Sequence, residues 1–334
     1  MKLSYLAALV GTAIVTGLSA QTANEVIIDR VQQPGAPTAP DAATTANSKD
    51  EKGDLDGGTQ RLAEARKLPF KLTVAYDLQA FFTSNVFLQP SDPVEALVVA
   101  NTLQTSAAFN GIVIGQGLLT PSVGVAYQRY HHALGTGDED RQNLDFDAFT
   151  LPLALRLRYG NNWEFGLGVT GTAVYSHEPS YNLTYKAITT SLSARKLISI
   201  SHSQVLSFGT GVNFVITDSE VPAAPFDFRS DRNDKIDTYI DAAYYYFKDR
   251  WVFSPYARYT HSDYCHYEEA GPTAEDRRDQ TLSLGVSVSY NITPWATARA
   301  FTSADWRDSL GDSLNDYGYE SASAGLGLSL NFSF

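Results

Sequence analysis

Cysteine is nearly missing from this chain: one residue, Cys265, in 334. One thiol closes no internal disulfide, so strand pairing and burial must hold the fold even in an oxidising compartment. Nothing around Tyr264-Cys265-His266 activates a thiolate, and Cys265 reads as a loop bystander. Basic runs are missing too. The formal net charge is −12, and acids gather in segments such as Asp138-Glu139-Asp140 and Glu268-Glu269. A nucleic-acid binder needs a basic face, so that partner is excluded, while an acidic soluble rim fits. Long apolar runs are missing after Leu18: no later segment carries the about eighteen residues that a membrane helix needs. Membrane strands are only half apolar and escape that test.

What is present begins with Lys2 and an apolar stretch from Leu6 to Leu18. Leu18-Ser19-Ala20 supplies small residues for cleavage before Gln21, which makes residues 1–20 a signal peptide. No Cys follows the cleavage site, so a lipid anchor is not expected. Residues 21–70 are a different material. Pro34-Gly35-Ala36-Pro37-Thr38-Ala39-Pro40 cannot build a core, and Asn47 to Gly58 is charged and Gly-rich. A disordered linker is expected. Within it, Thr59 to Leu68 sets Leu62, Ala65 and Leu68 on one side of a helix too short to be stable alone. A frayed tail and a plug are both open there.

From Leu72 onward the texture alternates. Leu72, Val74, Tyr76, Leu78, Ala80 and Phe82 are separated by Thr73, Asp77, Gln79 and Thr83. Phe149 to Tyr159, Leu206 to Ile216, Leu282 to Tyr290 and Ala324 to Phe334 repeat the pattern. A period of two means strands with unlike faces. Strands are expected over 71–83, 96–109, 118–131, 145–159, 163–176, 183–197, 204–217, 236–248, 251–264, 279–291, 295–306 and 319–334. That makes about twelve, many of them long enough to cross a bilayer at a tilt. The register blurs between Phe109 and Pro121, where Gly111, Gly115 and Gly117 leave the count open by two.

The connections sort by length. Asn110-Gly111 or a slightly longer segment, Gly160-Asn161-Asn162, Ser199 to Ser203, Lys248-Asp249-Arg250 and Asn291 to Pro294 are short. Ser84 to Glu95, His132 to Leu144, Asp218 to Lys235, Ser262 to Arg278 and Arg307 to Gly318 are long and mostly charged; only His177 to Asn182 departs from the rule. Short periplasmic turns and long external loops are the habit of outer-membrane barrels. Trp163, Trp251 and Trp295 each follow a short turn, with Tyr159, Tyr244, Tyr246 and Tyr290 at matching strand ends, as an interfacial girdle requires. The expected fold is all-β: a transmembrane antiparallel up-and-down barrel over residues 71–334, in the cell outer membrane with its lipid as partner, preceded by a periplasmic linker.

The ending Leu328-Ser329-Leu330-Asn331-Phe332-Ser333-Phe334 resembles the closing strand of Gram-negative outer-membrane barrel proteins. The resemblance covers Leu72 to Phe334 at the level of the class. It implies that Phe334 and Phe332 are read by the barrel assembly machinery. Tyr76-Asp77-Leu78 and Ser84 to Leu88 also resemble the first hairpin of β-barrel porins. No family motif names a cargo.

Parity turns Arg156, Arg158, Arg195, Arg258 and Arg299 inward, together with Asp77, Glu164, Asp241 and Asp305. Charged rings set pore selectivity, so these are the expected pore-lining residues. They point to passive passage of small polar solutes, with a mild preference for anionic or sugar-like ones. Arg158 and Glu164 flank one tight turn and are expected to pair. Structural bracing of a narrow barrel by the same charges is the plain alternative. Asp218 to Lys235, with Pro222, Pro225, Phe226 and Phe228, is the expected constriction loop.

Other classes place different demands on the same residues. A surface hydrolase needs a nucleophile, a base and an orienting group within reach. His261, Ser262, Asp263 and His266 cluster, but neighbours on a strand face opposite ways, so no catalytic residue is expected. Asp138, Glu139, Asp140, Asp145 and Asp147 lack the spacing of a calcium loop and read as a solvated rim, so neither metal nor cofactor is expected. An adhesion barrel acting through its acidic loops is the alternative role. Oligomeric state is not readable from these residues.

Overall fold

Along Phe149-Thr150-Leu151-Pro152-Leu153-Ala154-Leu155-Arg156, odd positions are apolar and even ones small or polar. An extended chain sends successive side chains to opposite faces, so this segment can serve two solvents at once. In the computed structural model it is the middle of one wall of a closed barrel. The structure describes residues 69–88, 90, 93–133, 144–160, 162–177, 181–219, 230–265, 277–310 and 317–334. The expected signal peptide (residues 1–20), residues 21–68, Asp138 to Asp140, Glu268-Glu269 and residues 220–229 lie outside the described residues.

The strands are β1 (Phe70–Thr83), β2 (Ala96–Phe109), β3 (Ile112–Ile114), β4 (Gly117–Ala133), β5 (Phe146–Tyr159), β6 (Trp163–Ser176) and β7 (Asn182–Ser201). They continue with β8 (Gln204–Ser219), β9 (Lys235–Lys248), β10 (Trp251–Tyr264), β11 (Arg278–Thr293), β12 (Ala296–Leu310) and β13 (Tyr319–Ser333). All pairings are antiparallel, from β4 through β13 in chain order; β13 pairs with β1, and β2 pairs with both β1 and β4. Twelve strands thus form a ring and β3 is extra.

The blurred register between Phe109 and Pro121 resolves as a bulge. The β2–β4 ladder stops at Ala108↔Ser122 and the β3–β4 ladder resumes at Ile112↔Leu119. Three residues, Phe109, Asn110 and Gly111, therefore face two, Thr120 and Pro121. Pro121 has no N–H to give a ladder and fits that gap. β3 is the continuation of β2 past the bulge. The tight turn lies at Gly115-Gln116, where Gly115 has φ of 59°, and not at Asn110-Gly111.

The other departures lengthen strands. β7 runs to Ser201, β11 begins at Arg278 and β12 continues to Leu310. The last two extend into segments expected to be loops. Beyond the bilayer both wall faces meet water, so the apolar period fades while the ladder goes on.

The outward face is apolar. Leu151 is 54% exposed, Ile216 63% and Leu326 67%. A belt of this size needs lipid as its solvent. At the short-turn end, Trp251 packs on Tyr290 with ring centroids 4.7 Å apart, and Trp295 stacks on Phe332 at 5.6 Å. Trp163 carries the Lys196 ammonium 5.1 Å over its ring, an anchor suited to the interface. Tyr244 and Tyr246 share the outward face with Phe253, while Tyr245 between them is buried inside. Trp306 and Tyr259 mark the other interface. The chain is a transmembrane barrel, with its short turns gathered at one end.

Candidate functional site

The inward face carries a row of charges that alternate in sign. Arg158 on β5 lies opposite Glu164 on β6, and Glu164 opposite Arg195 on β7. Arg195 faces Gly209 on β8, which faces Asp241 on β9. Asp241 faces Arg258 on β10, then come Ser283, Asp305 and Ser321. Because the strands tilt, the row climbs from the short-turn end at Arg158 towards the long-loop end at Ser321. Opposed residues on adjacent strands lie close enough to interact, so this register places each cation beside an acid.

All five expected arginines stand within 4 Å of a carboxylate. Arg156 Nε is 3.0 Å from Glu164 and Arg158 Nε 3.8 Å from it, so the diagonal partner is nearer than the directly opposed one that was expected to pair. Arg195 and Arg258 share Asp241 at 3.9 and 3.7 Å. Arg299 lies 3.6 Å from Asp77, which also accepts from Ser329 Oγ and from Gln79 Nε2. Asp305 lines the larger cavity described next.

Among the described residues, two interior cavities adjoin these charges. One, of about 540 Å³, is lined by Gln79, Gln128, Tyr256, Arg258, Arg299 and Asp305 among others. The second, of about 210 Å³, is lined by Arg156, Glu164, Arg195, Gly209 and Asp241 with Ser191 and Ser193. Tyr239 borders both. The Arg258 guanidinium lies 4.1 Å over the Tyr239 ring, a cation–π contact at the junction. Tyr256 lies flat on Gly285, where a Cβ would come within 2.4 Å of its ring.

Towards the long loops the interior is more crowded. Phe146, Ala148, Val174, Tyr185, Ala187 and Val215 form a buried apolar cluster, with Tyr130 stacked on Phe146 at 4.6 Å. On the opposite wall, buried Asp279 accepts from Arg277 Nε at 3.1 Å and Nη2 at 2.6 Å, from Ser309 Oγ, and from Tyr264 at 3.4 Å. The Arg277 guanidinium is sandwiched between Tyr264 and Tyr317, at 4.4 and 3.9 Å. Arg307 donates from Nε to the Tyr317 carbonyl at 2.8 Å and stands 3.7 Å from Asp279. This network ties β10, β11 and β12 to the residues that lead into β13.

Among the described residues, the members of the candidate hydrolase group take separate partners. Ser262 Oγ donates to Asp237 at 2.6 Å on the inner face, while His261 pairs with Asp263 at 3.3 Å. His266 lies outside the described residues. The acidic rim is divided as well: Asp147 meets His177 at 3.3 Å, and Asp145 meets His131 and His132. Asp145 precedes β5, outside the spanning strands. Burial pushes its carboxyl up, but bonds from the His132 ring and backbone N–H and from His131 outweigh that, and the pKa is lowered. A depressed carboxylate contributes stability above its unfolded pKa of about 3.9, and the contribution is lost as pH falls through the lower folded value. The His132 amide donates to Asp145 at 2.7 Å. Its protection against hydrogen exchange is expected to hold at pH 5 and to fall only in acid below the unfolded value; loss already near pH 6 would refute the assignment.

Sequence reasoning missed the tyrosines. Tyr239 and Tyr256 share strand parity with Asp241 and Arg258, and that alone would have placed them inside. It also missed Arg277 and Arg307, which fall in segments expected to be loops, and Asp279, the first residue of an expected strand. Most of the expected constriction loop, residues 220–229 within Asp218 to Lys235, lies outside the described residues.

No protein-family model matches the chain, and no curated protein matches it. Solved structures do. Those it resembles include bacterial outer-membrane barrels. An outer-membrane channel from Pseudomonas putida F1 is similar over 83% of this chain and 100% of that one, with a TM-score of 0.49 and 13% identity. The β domain of the Bordetella autotransporter BrkA covers 79% of this chain and 100% of its own at a TM-score of 0.44 and 10% identity. The KdgM porin, solved in complex with disordered oligogalacturonate, covers 77% and 99% at 0.39 and 8% identity. Channels and an autotransporter stand side by side here, and the likeness assigns no cargo.

Proposed function

We propose that the barrel is an outer-membrane channel for passive diffusion of small polar solutes, with a mild preference for anionic or sugar-like ones. The observation that carries this reading is the pair of polar cavities meeting at Tyr239 inside a closed wall. Planar amides, hydroxyls and tyrosine faces line the larger one, and this mixture suits polyhydroxylated solutes. The expected pore-lining set holds five arginines against four acids. The Arg156 and Arg158 side chains are 59% and 46% exposed, so these two cations stay open to a passing anion. No cofactor and no hydrolytic chemistry belong to this proposal. Phe332 and Phe334, exposed at the end of β13, are proposed as the contact for the assembly machinery.

The test is single-channel conductance of the refolded protein in a planar bilayer. Steady current is expected, with a reversal potential in a KCl gradient displaced slightly towards chloride. A clearly cation-selective pore would refute the anion preference. A folded but silent barrel would refute the channel and favour an adhesion role acting through the loops, consistent with the apolar packing of Phe146 and Tyr185 inside the mouth.

A further inference from the structure

Asp241 occupies an unusual place in the row of charges. Its side chain is only 3% exposed, yet its contacts with Arg195 and Arg258 are 3.9 and 3.7 Å, longer than hydrogen bonds. Its Oδ1 has no hydrogen-bond partner among the described residues, and neither do the Nε atoms of the two arginines. The carboxylate reaches this position because residue 209 on the strand between is glycine. A Cβ there would lie 2.6 Å from Oδ1. Asp241 lines the smaller cavity and Arg258 the larger one, and Tyr239 borders both. A solute crossing from one cavity to the other passes this junction.

Two guanidinium groups around one loosely held carboxylate form a site for an oxyanion that the protein fills with its own. We propose that Asp241 is the selectivity-setting residue of the channel: its carboxylate sits between Arg195 and Arg258 where a passing carboxylate or halide would otherwise bind. The inference rests on the channel reading. In the intact protein Asp241 masks two of the inward cations, and the preference for anions stays mild. Without its charge the two arginines face the junction unneutralised, and anions are drawn in while cations are repelled.

The experiment compares the wild-type barrel with Asp241→Asn and with Gly209→Ala in planar bilayers, by reversal potential in KCl gradients and by block of chloride current with gluconate. Gly209→Ala keeps every charge but pushes the carboxylate away from Arg195, so it serves if Asp241→Asn does not fold. Both variants are expected to raise the chloride-to-potassium permeability ratio severalfold, with gluconate blocking at lower concentration than in wild type. Arg258→Gln is expected to shift the ratio the other way. A conducting wild type whose ratio stays unchanged in Asp241→Asn, or in Gly209→Ala where only that variant folds, overturns the inference and leaves the channel standing. A silent wild type overturns both.

Discussion

Asp279→Ala is expected to destabilise the barrel by about 3–5 kcal/mol, the cost of leaving buried cations without their partner. The carboxylate is 3% exposed, Arg277 7% and Arg307 6%, so water cannot replace it cheaply. Three strands and the approach to a fourth meet at this one group, through Ser309, Tyr264 and the Tyr317 carbonyl. Urea unfolding in detergent micelles, read by the heat-modifiable gel shift, measures the loss. Pairing Asp279→Ala with Arg277→Met should recover part of it, because an apolar side chain between Tyr264 and Tyr317 carries no charge to strand. A single-variant loss below about 1 kcal/mol, the range of an exposed pair, would mean that the mouth is wetter than its geometry implies.

The second large effect separates the two faces of one strand. Leu153 and Ala154 are neighbours near the middle of β5. Leu153 is outward and 48% exposed, while Ala154 lines the smaller cavity. Leu153→Arg places a cation against hydrocarbon and is expected to cost about 2–4 kcal/mol of folding free energy in a bilayer. Ala154→Arg adds the same group to the aqueous side, near Glu164, and should fold without that penalty while reducing conductance. Urea titrations in lipid vesicles give the first quantity and planar bilayers the second. Equal stability of the two variants would contradict the assignment of lipid and interior faces.

Much of this fold was legible because the membrane forces a binary choice at every residue of a spanning strand. Leu151, Leu153 and Leu155 meet lipid, Ala154 and Arg156 do not, and a period of two records the fact. Strand limits failed where that pressure ends. Arg307, Asp308 and Ser309 are polar on both faces, so nothing in their order separates a strand above the bilayer from a loop. The bulge at Asn110-Gly111 was hidden for a different reason. An Asn-Gly pair is a strong hairpin signal, and only the cross-strand pairing of Leu119 with Ile112 tells that the chain continues straight. The inward charges were placed by parity, but their partners depend on register, which no single strand encodes. Glu164 lies nearest Arg156, and Asp241 reaches Arg195 across Gly209; both contacts span neighbours that sequence cannot align.

The seam between β1 and β13 has a kinetic meaning. Thr73 and Ser333, which face each other there, are 260 residues apart in the chain. Every other joint in the ring links strands that are close in sequence and can zip soon after both exist. This one must wait for a search over nearly the whole folded length, and such distant pairings are the slow ones. Until it forms, β1 and β13 are raw edges whose unpaired N–H and C=O groups can join the wrong sheet. The hazard ends in a single event, when Leu72 and Phe334 exchange their two backbone bonds.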